Sequence, residues 1–227
     1  LPLSLRREAD ARISPAHELI SRHAPVKKMF LIGGPGSGKS TLVQYSARRS
    51  ATWALDSTVP IVMRAPLLVE PGAPASLKDW AALTVKGVVS RLGRTASQAI
   101  FGQDQSDDSD LLLFIDGVDE IRQQDRRRLR QLIRAFEIEF PECRLVITSR
   151  PNGWDASLWS DFDKYSIEPL ELSASVDYLR SNTPASIGQT LVSMINRSEH
   201  LRELARIPFT LTLMTAYEGL REDQRLN

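Results

Sequence analysis

Eight residues carry the clearest chemistry in this chain. Gly33, Gly34, Pro35, Gly36, Ser37, Gly38, Lys39 and Ser40 (GGPGSGKS) follow the Walker A pattern G-x-x-x-x-G-K-[ST]. Glycine at 33, 36 and 38 lets the backbone turn with positive φ and brings its N–H groups to phosphate oxygens. The loop is expected to open a helix from Thr41, whose dipole and free amides favour an anion. Lys39 then reaches the β- and γ-phosphates, the Ser40 hydroxyl ligates Mg²⁺, and Thr41 hydrogen-bonds the α-phosphate.

A second group lies at Leu111–Glu120 (LLLFIDGVDE). An apolar strand ending in Asp116 is what a Walker B strand requires, with that carboxylate holding Mg²⁺ near Ser40. Asp119 and Glu120 follow at once. They suit polarisation of an attacking water, or they are helix N-terminal acids favoured by the dipole. A third run, Arg144–Pro151 (RLVITSRP), ends a strand in Ser149 and Arg150. If that strand inserts between the other two, Arg150 emerges beside the γ-phosphate.

The elements that must position these groups alternate short apolar runs with longer amphipathic stretches, the pattern of an α/β domain with a mostly parallel sheet. Strands are expected at Met29–Ile32, Pro60–Met63, Leu111–Ile115, Leu145–Thr148 and Lys164–Ile167. Continuous apolar runs imply strands covered on both faces. A helix is expected over Arg126–Phe140, from Leu129, Leu132, Ile133, Phe136 and Phe140 at a 3–4 residue rhythm with Pro141 beyond. Gly102–Asp110 and the three-proline stretch Pro66–Ala75 read as loops. After a boundary near Leu170–Ser173 the pattern becomes helical, with Ser173 and Ser175 as candidate caps and further helices from Ile187 and over Glu199–Leu220.

Composition narrows the class. With 227 residues the chain suits one large domain, or a core with a smaller appendage. Lys plus Arg (29) nearly cancel Asp plus Glu (28), so no global basic field argues for nucleic acid. No apolar run approaches the roughly 18 to 20 residues of a membrane span. No signal peptide is visible, and the lone Cys143 fits a reducing cytosol. The lack of a starting Met suggests a piece of something longer. His17, His23, His200 and Cys143 are scattered, so no zinc site can be assembled from them. The arginines at 122, 126, 127, 128, 130 and 134 read as a solvated basic face on one helix, without interleaved aromatics for base stacking. Trp154, Trp159, Phe162 and Tyr165 read as anchors of a loop under the sheet.

Taken together, Gly33–Thr41, Leu111–Glu120 and Val146–Pro151 resemble the NACHT family of STAND nucleotide-triphosphatases, a branch of the wider AAA+ group. The run DGVDE, with a small residue after the metal-binding Asp and then two acids, carries the resemblance. It implies a P-loop NTPase three-layer sandwich with a five-stranded parallel sheet in the order 5-1-4-3-2, spanning residues 1–172, then a helical lid over 173–227. It also implies Asp116 as Mg²⁺ ligand, Asp119 and Glu120 as hydrolysis-supporting acids, and Arg150 as sensor 1. In Ile207-Pro208-Phe209-Thr210-Leu211, Pro208 matches the family's proline near the adenine, and Leu1-Pro2-Leu3 resembles the family's opening segment. The resemblance runs to about Gly219 and stops where the family continues into a winged-helix domain.

The resemblance implies a slow ATPase (ATP or ADP with Mg²⁺) that controls self-association of a full-length protein, with effector and sensor domains on either side. The implied setting is cytoplasmic innate defence, antiphage in a bacterium, with no membrane or nucleic-acid partner for this segment. ATP is favoured over GTP because no N-K-x-D run follows the acidic strand. A remodelling AAA+ motor is the alternative, although Arg197, Arg202 and Arg206 sit in no recognisable sensor pattern. DGVDE followed by a sensor strand argues against a small-molecule kinase, and the lack of an LSGGQ-like run against an ABC ATPase.

Overall fold

The computed structural model describes residues 3–20, 26–52, 59–81 and 111–216. Its centre is a seven-stranded mixed sheet in the order β2-β1-β7-β3-β6-β5-β4. The strands are β1 (Ser4–Arg7), β2 (Ile13–Pro15), β3 (Lys28–Ile32), β4 (Val59–Arg64), β5 (Leu111–Asp116), β6 (Arg144–Ser149) and β7 (Asp163–Ile167). The five from β3 to β7 are mutually parallel and neighbour one another in the order β7-β3-β6-β5-β4. Numbered among themselves, these five stand in the expected order 5-1-4-3-2, while the expected total of five strands is corrected to seven in a mixed sheet. Strands β1 and β2 extend it as an antiparallel pair, with Leu5 opposite both Ser14 and Ile167.

The parallel strands are apolar on both faces because both faces are covered. Phe30, Ile32, Leu113, Ile115, Leu145 and Ile147 point into one core, shared with helices α3 (Ala65–Val69) and α4 (Gln123–Glu139). Met29, Leu31, Leu112, Phe114 and Val146 point into the other, against α1 (Ala16–Leu19) and α2 (Lys39–Thr52). At about 25 cal/mol per Å² of apolar surface, this two-sided burial is the main force holding the strand ends in register. Trp159 and Phe162 lie in the first core, where Phe30 meets the Trp159 ring at 5.4 Å. Tyr165 faces the second. Cys143 is buried, which pushes its thiol pKa up to about 12.

Three local expectations change. Ala65–Val69 is helical, with Pro66 in its first turn, where a missing N–H costs nothing, so the Pro66–Ala75 loop is shorter than expected. Helix α4 starts three residues before Arg126, and Arg130 is not part of a solvated face. It is buried, with ion pairs to Glu137 (3.1 Å) and Asp161 (2.6 Å). Its guanidinium also lies 5.3 Å from the centre of the Phe162 ring. Arg122, Arg127, Arg128 and Arg134 are exposed. The expected loop Gly102–Asp110 lies outside the described residues.

A short helix, α5 (Ala156–Trp159), precedes β7. After that strand come α6 (Leu172–Asn182), α7 (Ala185–Arg197), α8 (Glu199–Ala205) and then helical residues 208–216. Glu171, not Ser173 or Ser175, occupies the N-cap of α6. Ser175 is instead buried, its Oγ donating to the Ala205 carbonyl at 2.8 Å. These helices have a core of their own, with Leu170, Leu179, Ile187, Leu191, Ile195, Ala205 and Leu211 in contact. Leu3 packs against both this core and that of α1 and α2. No helix among the described residues is long and apolar enough to cross a membrane.

Candidate functional site

Strands β3, β6 and β5 end side by side, with Ile32 in register with Ser149 and Ile115 with Ile147. Since β6 lies between the other two, the residues following all three converge at the carboxyl edge of the sheet, where α/β folds place ligands. A cleft of about 550 Å³ opens there. Residues 35–41 form one wall, while Asp116, Asp119, Glu120 and Arg150 form another. The helical region closes it with Tyr178, Pro208, Phe209 and Thr212, and Leu3 completes the lining. Thus the expected residues from Pro35 to Thr41, the three acids, Arg150 and Pro208 come together. Gly33 and Gly34 do not line the cleft; their carbonyls accept from Lys39 Nζ at 2.6 and 3.0 Å.

The loop has the form an anion cradle needs. Gly36 (φ 72°) and Gly38 (φ 94°) take the left-handed conformation. Gly33 does not, contrary to expectation. Its reason is space, because a Cβ there would stand 2.4 Å from Ser37 Oγ. That Ser37 hydroxyl is buried and has no hydrogen-bond partner among the described residues. Helix α2 begins at Lys39, so the amides after Gly38 face the cleft from a helix N-terminus. Burial holds the Lys39 ammonium below its usual pKa, with Arg150 adding to the shift and Asp119 and Asp116 opposing it. A group that brings negative charge to Lys39 would reverse that penalty. These features fit a nucleotide phosphate chain with its divalent cation.

The acidic edge is wired more closely than the sequence indicates. Thr148, fully buried on β6, donates its hydroxyl to Asp116 Oδ1 and accepts from the Gly117 N–H at 3.1 Å. Gly117 takes φ 86°, which turns the chain at once into the 3₁₀ turn Val118–Glu120. A Cβ on Gly117 would lie 3.0 Å from the Glu120 carboxyl carbon. Asp119 and Glu120 therefore sit in a 3₁₀ turn just ahead of α4. Asp119 accepts from the Arg150 N–H (2.9 Å) and pairs with Arg150 Nε (3.2 Å). Glu120 pairs with Arg64 at the end of β4, at 2.8 Å.

Thr148, Arg64 and Tyr178 at this edge are not expected from the sequence. Thr148 has a faint signal, a hydroxyl near the end of an otherwise apolar strand. Arg64 and Tyr178 have none, because only strand order and the packing of the C-terminal helices bring them to the edge.

On the other side of the cleft, the Phe209 N–H donates to the Gly36 carbonyl at 3.2 Å. Pro208 lies against Gly38, where a Cβ would approach its Cγ to 3.8 Å. The helical region is itself joined to the segment that follows β7. Leu170 N–H donates to the Arg206 carbonyl (2.8 Å), and Arg206 Nε donates to the Leu170 carbonyl (2.9 Å).

A model of the NACHT domain matches residues 27–186 of this chain. No curated protein matches the sequence. Among solved structures, it is similar to Orc1 of Aeropyrum pernix, determined in complex with DNA. Identity is 13% and the TM-score 0.55, with 92% of this chain and 58% of that one covered. It is also similar to a point variant of RuvB from Thermotoga maritima (15%, TM-score 0.45, 88% and 56% covered). A third is domain III of the Thermotoga maritima replication initiation protein DnaA (14%, TM-score 0.47, 84% and 77% covered). The chain thus spans little more than half of the RuvB and Orc1 chains. The Orc1 likeness is one of fold, that of an α/β P-loop NTPase. Because the NACHT match covers most of the chain and includes the phosphate loop, the acidic strand and Arg150, the chain belongs to the NACHT domain family and has the nucleotide-binding function of a P-loop NTPase.

Proposed function

We propose that this chain is a nucleotide switch that binds ATP with Mg²⁺, hydrolyses it slowly, and transmits the change from triphosphate to diphosphate through a lid formed by the helices that follow Glu171. The observation that carries the proposal is the shared cleft. Lid and phosphate loop line one cavity and are joined by the Phe209–Gly36 hydrogen bond. A ligand in that cavity touches both, so a difference between ATP and ADP acts on their relative position.

In this reading, the loop amides between Gly34 and Gly38 (Pro35 has none) and the Lys39 ammonium bind the phosphates, while the Gly33 N–H ties the loop to the Ser149 carbonyl at 3.1 Å, and Thr41 reaches the α-phosphate. Ser40 and Asp116 hold Mg²⁺, which neutralises phosphate charge when bound. Few protein ligands are needed, because phosphate oxygens and waters complete its shell. Thr148 fixes the Asp116 carboxylate. Of Asp119 and Glu120, the pair that the family resemblance links to hydrolysis, Glu120 is steered by Arg64 and Asp119 stands against Arg150, and Arg150 reads the γ-phosphate. Pro208 packs beside the base. The absence of an N-K-x-D run supports adenine over guanine. Family membership is the support for the wider setting: a cytoplasmic protein whose self-association in innate defence is controlled by the nucleotide.

Nucleotide extracted from the purified protein, measured with steady-state turnover, tests the proposal. A switch retains ADP and turns over well below the roughly 1 s⁻¹ of slow ordinary enzymes. Rapid turnover stimulated by a polymer would instead mark a remodelling motor. Loss of extracted nucleotide in Lys39→Ala assigns the binding to this loop.

A further inference from the structure

Asp119 and Glu120 are adjacent acids with different surroundings. The Glu120 side chain is 49% exposed and has one partner, Arg64. The Asp119 side chain is 9% exposed, and both of its oxygens are engaged by a single residue. Oδ1 accepts from the Arg150 backbone N–H and Oδ2 pairs with Arg150 Nε. These two contacts fix the backbone and the proximal guanidinium nitrogen of Arg150 at once. Its two η nitrogens make no hydrogen bond or ion pair with any described residue, and Arg150 lines the cleft on the same side as Asp116. A guanidinium held at Nε presents its remaining edge as a two-pronged donor, the geometry that suits a phosphoryl oxygen pair.

From this geometry we infer that Asp119 is a positioning residue for Arg150, and that it serves recognition of the terminal phosphate rather than activation of water. The inference deepens the proposed switch and rests on its assignment of Arg150 to the γ-phosphate. Asp119 offers little accessible surface to an attacking water. Of the two acids, Glu120 alone has the exposure for that work. The two neighbours divide the labour: one holds the sensor, the other supports hydrolysis.

The test is calorimetric titration of the 227-residue chain with Mg·ADP and with Mg·AMP-PNP, a triphosphate analogue that is not hydrolysed. The readout is the ratio of the two affinities. Arg150→Ala should move the ratio toward ADP by about tenfold or more, the scale of a lost charge-assisted hydrogen bond. Asp119→Ala should move it the same way and by a similar factor, and the double variant should add little to either. Asp119→Asn keeps an acceptor for the backbone N–H but loses the ion pair, so an intermediate shift is expected even where the alanine variant folds poorly. An unchanged ratio in both Asp119 variants, with Arg150→Ala still shifted, overturns this inference alone and returns Asp119 to hydrolysis. An unchanged ratio in Arg150→Ala removes the sensor role itself, and with it both readings.

Discussion

The Phe209 backbone N–H donates to the Gly36 carbonyl across 3.2 Å, joining the helical region to the tip of the phosphate loop by a main-chain hydrogen bond. The contact depends on Gly36 having no side chain. A Cβ there would stand 2.8 Å from Phe209 Cβ, and the residue's φ of 72° is one that other residues adopt at a cost. Main-chain contacts of this kind are indifferent to side-chain identity at Phe209, which is 58% exposed, but not to any added bulk at Gly36.

Gly36→Ala should therefore separate lid from loop. Backbone strain alone amounts to about 1–2 kcal/mol, and the clash adds to it. The expected result is a fall of at least roughly tenfold in Mg·ADP affinity by calorimetry, with a lowered Tm. Arg128→Ala is the control, because Arg128 is exposed on α4 and does not line the cleft. Equal affinity in the two variants would show that the lid contact does not bear on binding.

Arg130 links α4 to the segment before β7 through Glu137 and Asp161. Arg130→Ala leaves Lys28 as the one cation that Glu137 and Asp161 still share among the described residues, frees the Leu158 carbonyl and opens space beside Trp159 and Phe162. A loss of about 2 kcal/mol in denaturant unfolding is expected, the scale of a lost buried hydrogen-bonding group together with its packing. Arg128→Ala, on the exposed side of the same helix, should stay within about 0.5 kcal/mol. Comparable losses in both would mean that the helix, not the ion pairs, is what the substitution damages.

The same network sets a pH dependence. Burial raises the pKa of the Asp161 carboxyl, but the Lys28 hydrogen bond and the charges of Arg130 and Lys28 outweigh it and hold it below its usual 3.8. The folded state thus binds its proton more weakly than the unfolded one, so this stability is present at neutral pH and lost as pH falls through the folded value. Lys28 works the other way. Burial opposes its charge, yet Glu137 and Asp161 raise it above 10.5, so its contribution is lost only as pH rises past that value. Unfolding midpoints should be flat through neutrality and fall below about pH 4. Asp161→Asn should flatten part of the acid limb; an unaltered limb would exclude the network as its source.

Much of this arrangement is legible in the sequence for identifiable reasons. Strands buried on both faces must be written as unbroken apolar runs, and LLLFI and LVIT are. A phosphate loop needs its glycines and lysine consecutively, so it is local information. Strands β1 and β2 leave almost no trace, because SLRR and ISP bury little beyond Leu5 and Ser14 and lie at the sheet's edge. The pairing of Asp119 with Arg150 is hidden for a different reason. Thirty-one positions separate the two, and only the adjacency of β5 and β6 brings them together. Arg130 misleads because its neighbours on α4 are solvated. It sits on the flank of the buried stripe formed by Leu129, Ile133 and Phe136, where one arginine can be covered while the next is not.

Amide hydrogen exchange of residues 208–216 tests the switch most directly, compared between protein saturated with Mg·ADP and protein saturated with Mg·AMP-PNP. Exchange across this segment, the Phe209 amide above all, is expected to differ between the two states, because the terminal phosphate acts on a cleft that lid and loop share. Identical exchange in both saturated states would contradict it, leaving a nucleotide-binding domain whose lid does not register which nucleotide it holds.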